Sequence, residues 1–546
     1  MAGGMAPSLL LLLLLLALDG RPSHACTSII VGGEATTDGS IYVARTDDTG
    51  DARSTVNKLV YHPAQAEPAV FRSNANGLAL QLPAPGLAYS AIPVTLADAS
   101  AGRNASGETA GVNSAGVAVS GTETILNSAA ALAADPYNAA SGLTEDALPS
   151  LLLPQATSAR QGVALAGRWV ESASIGAGEG FGLLVADAGG AWYLETASGH
   201  HWLARRAPDA AIFVSANQGR FQEVDLSDGA NVMHSRGLLE FAIDQGLFDP
   251  GAGQPFNFFK AFMRDGPSDA KFNYPRVCSL HYRLAGRTSS CTDASQPAFV
   301  TPVEQPALLQ PGRRMLGLHD VMGGLRDHYD ASQHDPYLHR NPSEAYRPIA
   351  LLRTSAGHVC RLRRTSPAAR GLAAINYVAM GMPLLAPFIP IYAGLPGDAL
   401  PPELTCAASE PDPQSLFWAG RRLQALVFQD FPALAPGSTA AIQAWEADVE
   451  ARQRPAMERR YAAAAARGDE AQAAGILAEF TADVVAQASR LLQRLTGQAA
   501  DALGLPGVPP DQELVAMLDA ADRAYSFRFH TSNLDLMTDL SAATIT

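Results

Sequence analysis

Between Cys26 and Asn217 the chain is cut into short apolar runs by Gly, Asn, Asp and Ser, and this texture constrains the fold more than any other feature. "TSIIVGG", "SIYVART", "GVAVSGTETI", "FGLLVADAGGAWYLET" and "AIFVSAN" are rich in β-branched or alternating residues and are bounded by turn formers, the pattern of strands. One stretch interrupts them. In "LTEDALPSLLLPQATSARQGVALAGRWVESAS", Pro149 and Pro154 break the first part, and Thr157 to Glu171 has helical spacing with Val163, Leu165, Ala166 and Trp169 on one face. Strands gathered in blocks, with helices segregated from them, predict an α+β layered domain. From about residue 300 the chain reads as Pro-rich and irregular up to Ser415. Helices then follow: "SLFWAGRRLQALVFQDF", and an Ala-rich stretch from Gly437 to about Leu503, in which Ala462–Ala466 before Arg467-Gly468-Asp469 marks a break between two helices. The tail, "FRFHTSNLDLMTDLSAATIT", returns to polar, β-prone composition.

The first 25 residues read as a secretory signal. Leu9 to Leu18 is too short an apolar run to cross a bilayer, which takes roughly 20 residues. Asp19, Gly20, Arg21 and Pro22 end it, and Ser23-His24-Ala25 puts small residues at the −3 and −1 positions of a cut. The expected product is periplasmic or secreted and begins at Cys26. No later segment reads as a membrane span, since the best one, Met380 to Leu395, contains Pro383, Pro387 and Pro390. A net charge of −14 without a basic cluster argues against a nucleic-acid partner.

A cysteine directly after the cut carries a specific chemistry. Its thiol is intrinsically nucleophilic, and a chain-terminal α-amine, with a pKa of roughly 7.7–8.0, accepts a proton at neutral pH. Nucleophile and base then belong to one residue. A hairpin turning at Thr37-Asp38-Gly39 would return Arg45 and Asp48 to the strand end where Cys26 sits. There a guanidinium and a carboxylate can fix the amine and hydrogen-bond the thiolate. A plain surface ion pair is the ordinary reading of R-x-x-D, and a disulfide or lipid-anchor cysteine that of Cys26. Four cysteines remain, Cys278, Cys291, Cys360 and Cys406. Their three possible pairings stay open, with Cys278–Cys291 and Cys360–Cys406 the sequence-local choice. No C-x-x-C occurs, and no metal is expected.

These blocks also carry a resemblance. "CTSIIVGGEATTDGSIYVARTDD" resembles the start of the PepD-type dipeptidases, N-terminal-nucleophile hydrolases related to the secernins and, more distantly, to penicillin V acylase and bile salt hydrolase. "GVNSAGVAVSGTETI", "TEDALPSLLLPQATSARQGV", "WYLETASGHHWLARRAPDAAIFVSANQGRF", "GLRDHYDASQHDPY", "FIPIYAGL" and "SLFWAGRRL" are similar to that family too, in order along most of the chain. The resemblance implies a four-layer αββα sandwich over residues 26–300, with 301–546 a Pro-rich and helical part of the same catalytic unit. It implies dipeptide hydrolysis through a thioester without cofactor. Cys26 would be the nucleophile, Arg45 and Asp48 the orienting pair, Asn217 an oxyanion donor, and Arg276 a second arginine near the nucleophile. Glu123 falls near a position that supplies an oxyanion donor in the acylases, which an ionised glutamate does not do. "AAINYVAM" (Ala373–Met380) lacks the tryptophan the dipeptidases tend to carry.

Competing chemistries find less support. His200-His201 and His328/His334 have spacings a metal site can use, but sit in blocks the resemblance explains without metal. There is no G-x-S-x-G elbow and no H-E-x-x-H site. The leading expectation is a secreted cysteine-type dipeptidase acting on dipeptide substrates, with oligomeric state left open. An amidase or acylase on a non-peptide amide shares Cys26, Arg45 and Asp48, and remains an alternative. So does a lipid-anchored binding protein, although Ser23 stands where lipid attachment wants an aliphatic residue.

Overall fold

The computed structural model describes residues 26–49, 52–53, 56–94, 107–266, 269–286, 307–308, 314–330, 332–339, 346–406 and 408–525. The leader with its cut, Cys291 and the β-prone tail lie outside the described residues, as does the side chain of Glu123. Seventeen strands are described: β1 (Thr27–Val31), β2 (Ile41–Asp48), β3 (Val60–His62), β4 (Ala69–Arg72), β5 (Ala79–Leu82), β6 (Tyr89–Pro93), β7 (Glu108–Asn113), β8 (Ala118–Thr124), β9 (Phe181–Asp187), β10 (Gly190–Thr196), β11 (Trp202–Arg206), β12 (Ala211–Ser215), β13 (Val232–His234), β14 (Ala307–Leu308), β15 (Thr354–Leu362), β16 (Ala374–Met380) and β17 (Ile389–Tyr392). They form a seven-stranded sheet in the order β14-β12-β1-β2-β15-β16-β17 and an eight-stranded sheet in the order β13-β11-β10-β9-β8-β7-β6-β3, with β4–β5 as a separate pair.

The two large sheets face each other. Ile30, Val43, Phe213, Cys360 and Leu362 from one pack against Val112, Ala118, Leu184, Ala186 and Tyr193 from the other. Outside the eight-stranded sheet lie α1 (Ala147–Leu152) and α2 (Ala159–Val170), whose Leu148, Leu151, Val163 and Ala166 cover Val119, Leu183 and Val185. α2 keeps to the expected span, with Ser158 capping the Gln161 amide, the bond that favours serine at this position. Outside the seven-stranded sheet lie α3 (Tyr274–Leu280), α4 (Leu318–Leu325), α5 (Leu416–Val427), α6 (Phe431–Asp448), α7 (Arg454–Ala466), α8 (Glu470–Ala502) and α9 (Asp511–Ala524). Their apolar faces share one core with Ile29, Val31, Tyr42, Ala44 and Ile375. Helix, sheet, sheet, helix is the four-layer α+β arrangement expected. α7 ends at Ala466, Gly468 takes a left-handed φ of 72°, and Asp469 caps α8, so the break falls where the sequence put it.

Two expectations need correction. The stretch from 300 to Ser415 is not irregular throughout, because β15, β16 and β17 lie inside it. β15 is buried along its whole length, and a strand covered on both faces loses the polar/apolar alternation that would reveal it. Gly357 within it passes so close to Pro383 that a Cβ there would lie 2.6 Å from the ring. The second correction concerns cysteines. Cys360 and Cys406 are both free thiols: Cys360 sits inside β15 facing the other sheet, and Cys406 follows a short surface helix, Pro402–Thr405. Cys278 is disulfide-bonded.

Candidate active site

Sheet register brings the site together. β1 lies between β12 and β2, with Ser28 opposite Ser215 on one side and Arg45 on the other. Two residues further out, Cys26 comes level with Asn217 and Asp47. The chain reverses between β1 and β2 through the expected turn, where Gly39 holds φ 71°. Since side chains alternate along a strand, Cys26, Arg45 and Asp47 point to the face that meets the other sheet, as Ile30 and Val43 do. Asp48 points the opposite way.

The thiol is buried. Cys26 Sγ lies 2.9 Å from Arg45 Nη2 and 3.9 Å from Asp47 Oδ1. Arg45 Nη2 is itself 3.3 Å from Asp47 Oδ1, and its Nη1 donates to the Thr109 carbonyl of β7 at 3.3 Å. Burial pushes the Cys26 thiol well up from its ordinary value. Arg45 works against that, while Asp47, Glu145 and Asp48 add to it. The Arg45 guanidinium stands within hydrogen-bond reach of the sulfur, placed to offset negative charge on it. Across the sheet, His358 pairs with Arg45 and contacts Ser120 Oγ at 3.1 Å. Burial, then the charge of Arg45, drives its pKa down to about 3, so it stays neutral.

Arg45 and Asp48, both expected at this strand end, do not pair with each other. Three residues is an odd step, which in a strand puts the two side chains on opposite faces. The carboxylate two residues on, Asp47, is the one beside Arg45, and alternation alone would have pointed to it. Asp48 instead pairs with Arg347, both fully buried, and accepts from Thr354 Oγ1 at 2.5 Å. Burial raises its pKa, against the pull of Arg347 and Thr354.

Arg276 stands on α3 and reaches the Cys26 backbone. Its Nη1 donates to the Cys26 carbonyl at 2.6 Å and to Thr27 Oγ1 at 2.7 Å. Its Nη2 donates to Asn217 Oδ1 and Asn273 Oδ1, each at 2.7 Å. An arginine has only donors, so Arg276 fixes the Asn217 amide with its oxygen turned away and its NH2 available. Asn273 locks the Asn217 backbone as well, accepting from its N–H at 3.1 Å and donating to its carbonyl at 3.3 Å. Cys26, Arg45, Asn217 and Arg276 thus meet in one place, with Asp48 behind them. Asp47, Asn273, Arg347 and Thr354 join the site without having been singled out. Apart from Asp47, they come from segments with no motif to mark them.

The histidines with metal-like spacing are engaged elsewhere: His200 Nδ1 is 2.7 Å from Asp135, His201 Nδ1 2.9 Å from Ser235, and His328 Nδ1 3.0 Å from Asp335. No group of His, Cys, Asp and Glu among the described residues could hold a metal ion. None of their helices is long and apolar enough to cross a membrane.

Peptidase family C69 matches this chain over residues 25–443. A protein named "Probable dipeptidase" from Salmonella dublin is 42% identical over 380 residues, covering 68% of this chain and 83% of that one. Another of the same name from Latilactobacillus sakei is 33% identical over 370 residues, 67% of this chain and 74% of its own. Among solved structures, a mutant conjugated bile acid hydrolase from Clostridium perfringens is similar at 11% identity, with a TM-score of 0.29 over 65% of this chain and 89% of that one.

Proposed function

We infer the function from one premise: the chain belongs to peptidase family C69. It is a hydrolase and a dipeptidase. Beyond that, we propose that Cys26 is the nucleophile and that export removes residues 1–25, so that its own α-amine becomes the general base. The observation that carries this is the buried Cys26 thiol, 2.9 Å from the Arg45 guanidinium at the start of a central strand, with Asn217 locked beside it. The family match beginning at residue 25 supports a working chain that starts at Cys26.

The chemistry runs in two steps. Sγ attacks the scissile carbonyl carbon, and the thiol proton passes to the α-amine. Arg45 offsets the developing sulfur charge. The carbonyl oxygen becomes an oxyanion held by the Asn217 NH2 and a backbone N–H, a type of contact each worth about 3 kcal/mol. The amine then gives its proton to the leaving nitrogen, the C–N bond breaks, and the first residue stays behind as a thioester. Water, deprotonated by the same amine, attacks the thioester, and the second oxyanion collapses to release the acid and restore the thiol.

Intact mass and N-terminal sequencing of the exported protein, followed by a dipeptide panel, test this reading. An unmodified chain starting at Cys26, with Cys26→Ala inactive by about 10³-fold or more, is the expected outcome. A lipidated Cys26, another N-terminus, or full activity in Cys26→Ala overturns the mechanism. Turnover of non-peptide amides alone would move the substrate assignment to an amidase.

A further inference from the structure

The strand carrying Thr354 is irregular exactly where it passes the site's two aspartates. β15 pairs Thr354 with Asp48 and then Ala356 with Asp47, so Ser355 is an extra residue, a β-bulge. Bulges locally break the ladder and re-aim side chains, often beside active sites. Here Thr354 Oγ1 donates to Asp48 Oδ1 at 2.5 Å. Ser355 Oγ donates to the Asp47 carbonyl at 3.0 Å and lies 3.2 Å from Asp47 Oδ2. The preceding Arg353 carbonyl accepts from Thr49 Oγ1 at 3.0 Å. Both aspartates are therefore gripped from one irregular turn of backbone.

That turn has its own holder. Arg421, on α5 and only 1% exposed, donates Nη1 to the Leu352 carbonyl at 2.5 Å and Nη2 to the Thr354 carbonyl at 3.0 Å. Gln424 Oε1 accepts from Nη1 at 2.7 Å, and the guanidinium lies over the Phe417 ring at 4.8 Å. A rigid fork bridging two carbonyls is something lysine, a single point of charge, does not reproduce. Taking a guanidinium this far from water is costly, and a purely apolar helix face would cover the sheet without that cost.

We propose that Arg421 is a positioning residue for catalysis: it holds the bulge that presents Ser355 to Asp47 and Thr354 to Asp48, and through Asp47 it sets Arg45 against the Cys26 thiol. The proposal rests on Cys26 being the nucleophile. Arg421 touches neither the sulfur nor, in this arrangement, a substrate; it acts by keeping the Arg45–Cys26 geometry within the tolerance the reaction demands, where a misplacement of about 1 Å costs on the order of 100-fold.

A double-mutant cycle on the mature enzyme tests it, with Arg421→Lys, Ser355→Ala and the pair, reading kcat, KM and the rate at which iodoacetamide alkylates Cys26. Arg421→Lys is expected to lower kcat by about 10- to 100-fold, leave KM within about two-fold, and slow alkylation. The pair should cost little more than Arg421→Lys alone, because both changes break one path. A lower melting temperature with kcat and alkylation at wild-type values would make Arg421 merely structural and overturn the proposal, as would additive losses. If Arg421→Lys does not fold, Gln424→Leu, which removes the acceptor orienting the guanidinium, takes its place in the cycle with the same expectations. Alkylation needs no peptide turnover. Dipeptide activity surviving in Cys26→Ala would therefore sink the functional reading separately, while loss of coupling with Cys26→Ala inactive would sink only the role of Arg421.

Discussion

Two arginine–carboxylate networks hold this molecule, and they do different work. Around Cys26, Arg45–Asp47 and Arg347–Asp48 are closed off from solvent, with Arg45, Asp47 and Asp48 on β2 and Arg347 in the segment before β15. On the outer face, Glu446, Glu450, Arg454 and Glu458 recur every four residues along α6, the π-helical turn Val449–Gln453 and α7, and so share one side of a continuous helix. That stripe meets the sheet. Arg326 grips Glu446 in a two-pronged pair at 2.7 and 2.9 Å. Arg361 reaches Glu450 at 2.7 Å, Arg363 reaches Glu458 at 2.5 Å, and Tyr377 and Tyr392 donate to the same two glutamates at 2.8 Å each. The family match ends at residue 443, just before the stripe begins. Charge in the first network surrounds the buried Cys26 sulfur. In the second, it anchors a helical stripe that begins just past the residues the family model matches.

Arg347→Met breaks the contrast hardest, because it leaves Asp48 buried without its partner. It should destabilise by about 3–5 kcal/mol in denaturant unfolding and take activity with it. Asn217→Ala sharpens the contrast from the chemical side: kcat per folded molecule should fall about 10²–10³-fold, with KM nearly unmoved. Glu446→Gln should do the reverse, costing about 2 kcal/mol of stability through the lost charge-assisted bonds while kcat per folded molecule stays at wild type. Equal losses of kcat in Asn217→Ala and Glu446→Gln would erase the distinction.

The smallest effect is in pH, where the two networks have opposite signs. Burial pushes the Glu458 pKa up, but its bonds to Arg363 and the charges of Arg363 and Arg454 outweigh that, and the net shift is down. Its contribution is present above about pH 4.3, the ordinary value, and is lost as pH falls through the lower folded value. Glu458→Gln should therefore flatten the acid limb of a stability–pH curve. Asp48 is raised, mainly by burial, so its contribution is complete below the ordinary carboxylate range and fades as pH rises through the folded value. The stability of Asp48→Asn relative to wild type should then improve with rising pH across that window. A slope of the same sign in both variants would contradict the comparison.

How much of this was legible depends on range. The hairpin, the helix over Ala159–Val170 and the break after Ala466 rest on turn formers, caps and spacing within a few residues, and all stand in the structure. That Arg45 and Asp48 both come to the Cys26 end was legible in the hairpin. That they leave the strand on opposite faces follows from its alternation, a rule available in "ARTDD" once a strand is assumed. β15 left no alternation to read, since helices cover one face and a second sheet the other. The Cys360–Cys406 choice treated separation along the chain as separation in space.

By itself, then, the sequence determined the strand texture, the layered class, the nucleophile candidate that follows Ala25, and the family whose blocks run in order along the chain. Only the tertiary structure decided which carboxylate meets Arg45, that Arg276 orients Asn217, and that Arg347, Ser355 and Arg421 belong to the site at all. The physical reason is that local preferences depend on a few neighbouring residues, whereas sheet register and the closure of α3 and α5 onto the β1–β2 end join groups such as Asp47 and Ser355, 308 residues apart, whose encounter no short stretch encodes.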